Sequence, residues 1–247
     1  MTDDYKIKPI ETEKSGIPQR ACAKKQIMPK FPFSMIISGR SGCGKTCCLL
    51  NILTNKKLYG GYYHYTIVFS PTAGEYDDSY KCLKLPPENF IKEFSPESLN
   101  QIIESRKKLI KDKGIEWVAK NSRVLLILDD VIANRSFLAS PEALVLFSLL
   151  RHYLCSVIIL IQSYTKVPRA MRIQANATII FPSQRNEVEI IKDEITPTNL
   201  TKKEFEKVIE HCCSDKHSFM YINSHAERGK QIRKNLDEII NLNDYKS

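Results

Sequence analysis

The run Gly39-Arg40-Ser41-Gly42-Cys43-Gly44-Lys45-Thr46 constrains this chain more than any other stretch. It fills every fixed position of G-x-x-x-x-G-K-[ST], the phosphate-binding P-loop pattern. Its flanks supply the context that the pattern needs. Before it runs Phe33-Ser34-Met35-Ile36-Ile37-Ser38, read as an apolar strand; after it, residues 47–53 read as an apolar helix. A strand, a glycine turn and a helix N-terminus together form an anion site, because unpaired backbone N–H groups and the helix dipole converge there. Glycines at 39, 42 and 44 let the backbone curl closely around phosphates. The pattern assigns Lys45 to the β- and γ-phosphates and the Thr46 hydroxyl to Mg²⁺, so ATP and Mg²⁺ are the expected ligands. A chance glycine-rich turn would not bring both flanks with it.

The second half of such a site is Val124-Leu125-Leu126-Ile127-Leu128-Asp129-Asp130, a buried strand ending in two carboxylates, the Walker B arrangement. Asp129 is the expected Mg²⁺ residue, opposite Thr46. Asp130 is the expected general base for an attacking water; the bland alternative is a strand-end turn. The next apolar run, 156–161, ends in Gln162, placed to touch a γ-phosphate and report nucleotide state, or else an ordinary strand-end amide. Phosphoryl transfer also gains from a cation on the developing charge, often supplied by a neighbouring subunit. The candidates are Arg135, Arg151, Arg169 and Arg172, with Arg151 preferred at the end of the helix before the Gln162 strand. A helix-end cation that merely favours the dipole is the alternative.

At 247 residues the chain suits one large α/β domain or a domain with a small appendage. Residues 1–30, polar and carrying three prolines, read as a flexible or docked arm. From Phe31 strands (33–38, 64–70, 123–128, 156–162, 177–182) alternate with helices (44–54, 97–112, 141–154), which specifies a mostly parallel sheet between helical layers. Ser95-Pro96-Glu97 and Ser140-Pro141-Glu142 read as helix starts. Residues 71–96 are too long for a routine βα connection and are therefore functional or irregular. Beyond 183 the pattern gives helices near 186–194 and 202–212, a strand at 217–222 and a basic helix near 230–241. The division is an arm (1–30), an ATPase core (31–182) and an extension of the same domain (183–247). No segment reaches the roughly 18 consecutive apolar residues of a membrane span, and no membrane partner is expected. Eight cysteines without a disulfide-scaffold pattern fit a reducing, intracellular setting.

The formal net charge is +9. Residues 31–182 hold 19 basic and 12 acidic side chains, against 11 and 12 in 183–247, so the core carries most of the excess. Part of that serves ATP, and the rest supports a nucleic-acid surface. Several local features have two readings. His211-Cys212-Cys213 with His217 and His225 invites zinc but lacks C-x₂-C spacing, which favours core cysteines beside surface histidines. The tyrosines of 59–65 could stack bases, although packing is the stronger reading. Arg106-Lys107-Lys108 with Lys111, and the stretch 228–234, each read equally as a DNA-tracking strip or a solvated face.

Gly39–Thr46, the strand ending Asp129-Asp130, then Leu150-Arg151-His152, Ser156, Gln162, Pro168, Arg172, Asn176 and Phe181 follow one another in a family-specific order and spacing. Over residues 31–182 the chain resembles the genome-packaging ATPases of large DNA viruses and virophages, within the FtsK–HerA superfamily. The resemblance implies a three-layer P-loop fold of the additional-strand (RecA-like) type. It implies nucleotide binding by Gly39 to Thr46, Mg²⁺ at Thr46 and Asp129, catalysis by Asp130 and sensing by Gln162. It further implies a homo-oligomeric ring that threads double-stranded DNA into a preformed capsid through capsid or portal-vertex proteins, in the cytoplasm (viral factory) of an infected cell. Asp130 departs from the glutamate common in that superfamily. A nucleoside or nucleotide kinase, and a DNA-binding ATP switch with little turnover, stand as alternatives; the chain has no arginine-rich lid segment to favour the kinase.

Overall fold

In a computed structural model, residues 27–72, 78–130 and 140–246 are described. Nine strands form one sheet in the order β3-β2-β4-β5-β1-β6-β7-β8-β9. The strands are β1 (Ser34–Ser38), β2 (Tyr65–Phe69), β3 (Phe90–Ile91), β4 (Val124–Asp129), β5 (Cys155–Ile161), β6 (Ala177–Ile180), β7 (Met220–Asn223), β8 (Ile232–Lys234) and β9 (Glu238–Ile239). Pairing is parallel from β3 through β6 and antiparallel from β6 to β9. β5 lies between the P-loop strand β1 and the carboxylate strand β4, the additional-strand topology expected from the sequence.

The layers follow from period-2 alternation on strands covered on both faces. Ile36, Leu126, Leu128, Val157 and Ile159 fall in one apolar cluster, and their neighbours Met35, Ile37, Leu125, Ile127 and Ile158 in the other. Helix α1 (Lys45–Thr54) covers the second face through Leu49, Ile52 and Leu53. The first face is covered by α2 (Pro96–Lys113) through Leu99 and Ile103, and by two later helices introduced below. α2 starts where Ser95-Pro96-Glu97 indicated, with a reciprocal Ser95–Ser98 capping box. A short helix α3 (Ile115–Asn121), unmarked in the sequence reading, follows Gly114, whose φ of 79° breaks α2.

The predicted 141–154 helix is two elements: α4 (Pro141–Ser148), then a 3₁₀ turn over Leu150–Tyr153 that ends on Leu154 in left-handed geometry. After α5 (Arg169–Gln174) come α6 (Arg185–Ile195) and α7 (Lys202–Cys212), close to their predicted bounds. Phe205, Val208 and Ile209 of α7 join Ile191 of α6 in the first-face cluster.

The basic helix expected near 230–241 does not form; that stretch is the β8–β9 hairpin. Ile232, Leu236, Ile239 and Ile240 have helical spacing, but pairing β8 onto β7 covers a strand edge that would otherwise stand open. Asn235, at φ 53°, makes the turn, and Arg233 folds back onto the Leu236 and Asp237 carbonyls. At the other end of the described chain, Ile27 accepts hydrogen bonds from Tyr221 and Asn223, which docks 27–30 against β7; the rest of the predicted arm lies outside the described residues.

Candidate functional site

β1 ends at Ser38, and the chain turns through Gly39–Gly44 into α1. The Gly39 N–H donates to Ile161 of β5, and Phe181, just beyond β6, donates to Ser38, so the loop springs from the middle of the sheet. A Cβ on Gly39 would stand 2.6 Å from the Phe181 Cβ and 2.7 Å from the Cys43 Sγ, so no larger residue fits. Gly44 caps α1 at φ 106° and without a side-chain hydrogen bond, which keeps the first-turn N–H groups directed at the loop. The Lys45 ammonium bridges the Gly39 and Arg40 carbonyls at 2.7 and 3.0 Å, lying across the loop where a phosphate chain would run. Burial raises the Cys43 thiol above its ordinary range, partly offset by Lys45. Burial also pushes Cys48 up to about 12, so its thiol acts as a small apolar filler.

Register brings the carboxylates alongside. Asp129 pairs with Leu160, one residue before the strand end that precedes Gln162. Asp130 sits at φ 54°, a left-handed conformation that aspartate tolerates, and its carboxylate accepts the Gln162 amide at 3.2 Å through both oxygens. Tyr80 donates to Asp129 Oδ2 at 2.6 Å. This contact was not foreseen. Tyr80 is 1% exposed on a 3₁₀ turn (Ser79–Leu83) that packs on α1, within the long 71–96 connection. The length of that connection was the only signal in the sequence. Ser41, Gly42, Gly44, Lys45, Thr46, Asp129, Asp130 and Gln162 line one cleft of about 360 Å³, together with Thr72 and Cys47. A threonine hydroxyl and a carboxylate across a phosphate-sized loop are hard oxygen donors, the kind Mg²⁺ takes beside phosphate oxygens.

The sequence matches the family described as Poxvirus A32 protein over residues 22–237. The chain belongs to the poxvirus A32 protein family. No curated protein matches it. Among solved structures it is similar to the genome packaging NTPase B204 from Sulfolobus turreted icosahedral virus 2 in complex with ATP-gammaS. That match has a TM-score of 0.53 and 15% identity, covering 81% of this chain and 95% of that one. The AMP complex of the same protein gives 0.51 and 16%, covering 82% and 96%. B204, the DNA-packaging ATPase from Sulfolobus Turreted Icosahedral Virus, also gives 0.51 and 16%, with 82% and 96% covered. At these identities the likeness establishes the fold alone, that of a P-loop NTPase, as the motif order implied.

Several residues singled out from the sequence lie away from the cleft. Arg151 is exposed on the 3₁₀ turn before β5, at the N-terminal end of the strands, whereas the P-loop leaves the C-terminal end of β1, so Arg151 stands away from this chain's own cleft. Arg172 is committed elsewhere: its guanidinium grips Glu194 of α6 at 2.8 and 2.5 Å and stacks over Tyr164. Arg169 is exposed beside the same Glu194, and Arg135 lies outside the described residues. Asn176 and Phe181, which helped carry the resemblance, support the sheet: Asn176 accepts from the Ser34 N–H, and Phe181 packs on Gly39. Arg106 departs from the basic-strip reading. It is 4% exposed and donates to Ser122 and to the Tyr153 and Leu154 carbonyls. Tyr59 is buried and stacks on Phe33 within a cluster of Phe31, Tyr62 and Tyr63, the packing role. His211 pairs with Glu238, whereas His217 bonds to Cys43 in the P-loop, so the two histidines serve different neighbours.

Proposed function

We infer that this chain is an Mg²⁺-dependent ATPase that drives double-stranded viral DNA into a preformed capsid. One observation carries the reading: Lys45, Thr46, Asp129, Asp130 and Gln162 share a single cleft. Gly39 to Thr46 receive the triphosphate, and Lys45 exchanges its two loop carbonyls for β- and γ-phosphate oxygens. Thr46 and Asp129 would hold Mg²⁺, which when bound neutralises charge on those oxygens. Asp130 takes a proton from the attacking water, with Gln162 holding its carboxylate in place and sensing the γ-phosphate. Membership of the A32 family and the likeness to B204, a DNA-packaging ATPase, support the DNA-packaging destination. A homo-oligomeric ring, a capsid or portal-vertex partner and action in the infected cell's cytoplasm extend the same reading. So does the division into arm, core and extension.

The test is ATP hydrolysis with and without double-stranded DNA. Wild type is expected to hydrolyse ATP faster with DNA, and Lys45→Ala to lose that activity. Phosphate transferred to a nucleoside acceptor would replace the motor with a kinase, and binding without turnover would leave only a switch. Asp130→Asn is expected to keep ATP binding and lose at least a hundredfold in turnover, about the contribution of a general base; an active Asp130→Asn would remove Asp130 from the mechanism.

A further inference from the structure

β3 is only two residues long and pairs with Val68 and Phe69, the last two residues of β2. Over Tyr65, Thr66 and Ile67, β2 therefore has no strand on that side among the described residues. Tyr65 donates its N–H to Arg123, toward β4, so by alternation the Thr66 main chain faces the open side. The Asn89 side-chain amide donates to the Thr66 carbonyl at 2.9 Å, where a neighbouring strand would place an N–H. Sheet edges are ordinarily blunted by charge or proline. Tyr65, Thr66 and Ile67 carry neither, and all three favour strands.

A cavity of about 350 Å³ opens along this edge, between β2 and α2. Tyr65, Ile67, Ile102, Leu109 and Val124 supply its apolar walls, and Tyr65 is 56% exposed. One turn on from Leu109, Lys113 lies over the ring of Trp117, a second exposed aromatic. The surrounding chain is basic. Residues 101–123 hold seven Lys or Arg against three Asp or Glu, and one of those three, Glu104, is paired with Lys107. Lys108, one turn from the cavity-lining Ser105, is exposed. Arg106 also lines the cavity, but it donates to Ser122 and to the Tyr153 and Leu154 carbonyls. Its guanidinium is committed inside the fold, which disfavours a nucleic-acid backbone at the base of the groove.

We propose that the open edge of β2 and this groove receive an extended acidic segment of another protein. The segment adds as a strand beside Thr66, replaces Asn89 at its carbonyl, and seats an apolar side chain between Tyr65 and Leu109. Open main chain calls for an extended partner, apolar walls for an aliphatic or aromatic anchor, and the basic surround for acidic flanks. The groove lies at the starts of β2 and β4, whereas the P-loop leaves the far end of β1, so a bound segment leaves the ATP cleft open.

The test uses the full chain and a fluorescein-labelled peptide, Glu-Asp-Ile-Phe-Val-Asp-Glu, read by fluorescence anisotropy. One analogue carries lysine in place of every acid. Another is N-methylated at alternate residues, which keeps the side chains and abolishes strand pairing. Wild type is expected to bind the acidic peptide and each analogue about tenfold more weakly, the scale of a lost main-chain hydrogen bond or of reversed charge. Ser105→Trp, at an exposed position, fills the groove and is expected to weaken the acidic peptide about tenfold, the loss of one seated apolar side chain. Lys108→Glu is expected to weaken it up to about fivefold, the range of one exposed charge pair. An unchanged thermal midpoint shows that both variants are folded. Wild type that binds no acidic peptide overturns the proposal. So does equal binding of either analogue, or unchanged affinity in folded Ser105→Trp. A single-stranded oligothymidylate that displaces the peptide, and that Ser105→Trp also weakens, would make the groove a nucleic-acid surface and overturn it too.

Discussion

Tyr80 shows how single side chains complete a site that a motif only outlines. A phenol O–H donating to a carboxylate fixes its rotamer, and here that carboxylate is Asp129. Tyr80→Phe removes one oxygen and nothing else. It is expected to raise the Mg²⁺ concentration needed for half-maximal ATPase activity about three- to tenfold, the range set by one hydrogen bond to a charged group. Metal-free nucleotide binding should stay the same, and a wild-type Mg²⁺ titration from the variant would dismiss the role. The P-loop residues were legible because their spacing encodes backbone geometry over eight neighbours. Tyr80 was not, because its bond to Asp129 spans 49 positions and no local pattern marks it.

At the scale of elements, the connection after Gln162 is tied twice to one face of α6. Ser163 donates to Glu187, and Arg172 of α5 grips Glu194 two turns further on. Both carboxylates are buried, and the guanidinium beside Glu194 is held more firmly protonated by that bond. Arg172→Met strands a buried carboxylate and is expected to cost about 3–5 kcal/mol in a urea melt, with much of it recovered in Arg172→Met/Glu194→Leu. A single variant within about 0.5 kcal/mol of wild type would show that the clamp bears no load. The helices 185–195 and 202–212 were readable from their apolar stripes because each buries one face against the sheet. The 230–241 stretch carried a similar stripe and became a hairpin, because pairing with β7 decided its conformation.

At the scale of the molecule, the sheet order gathers the C-terminal tips of β4, β5 and β1 around one cleft and leaves Arg151 at the opposite, N-terminal end of β5. If Arg151 serves catalysis it does so in a neighbouring copy. Arg151→Ala is then expected to be inactive alone but partly rescued on mixing with Lys45→Ala, whose arginine is intact. No recovery in the mixed ATPase assay would restrict Arg151 to a surface role. The sequence by itself determined the phosphate loop, five of the six parallel strands (the two-residue β3 excepted) and the two carboxylates, because these depend on spacing and hydropathy within short windows. Only the tertiary structure decided that Arg106 and Arg172 are buried props, that Tyr80 holds Asp129 and that His217 stands against the P-loop. Those contacts join residues far apart in the chain, and they form only once strand pairing and two-sided packing have set the sheet.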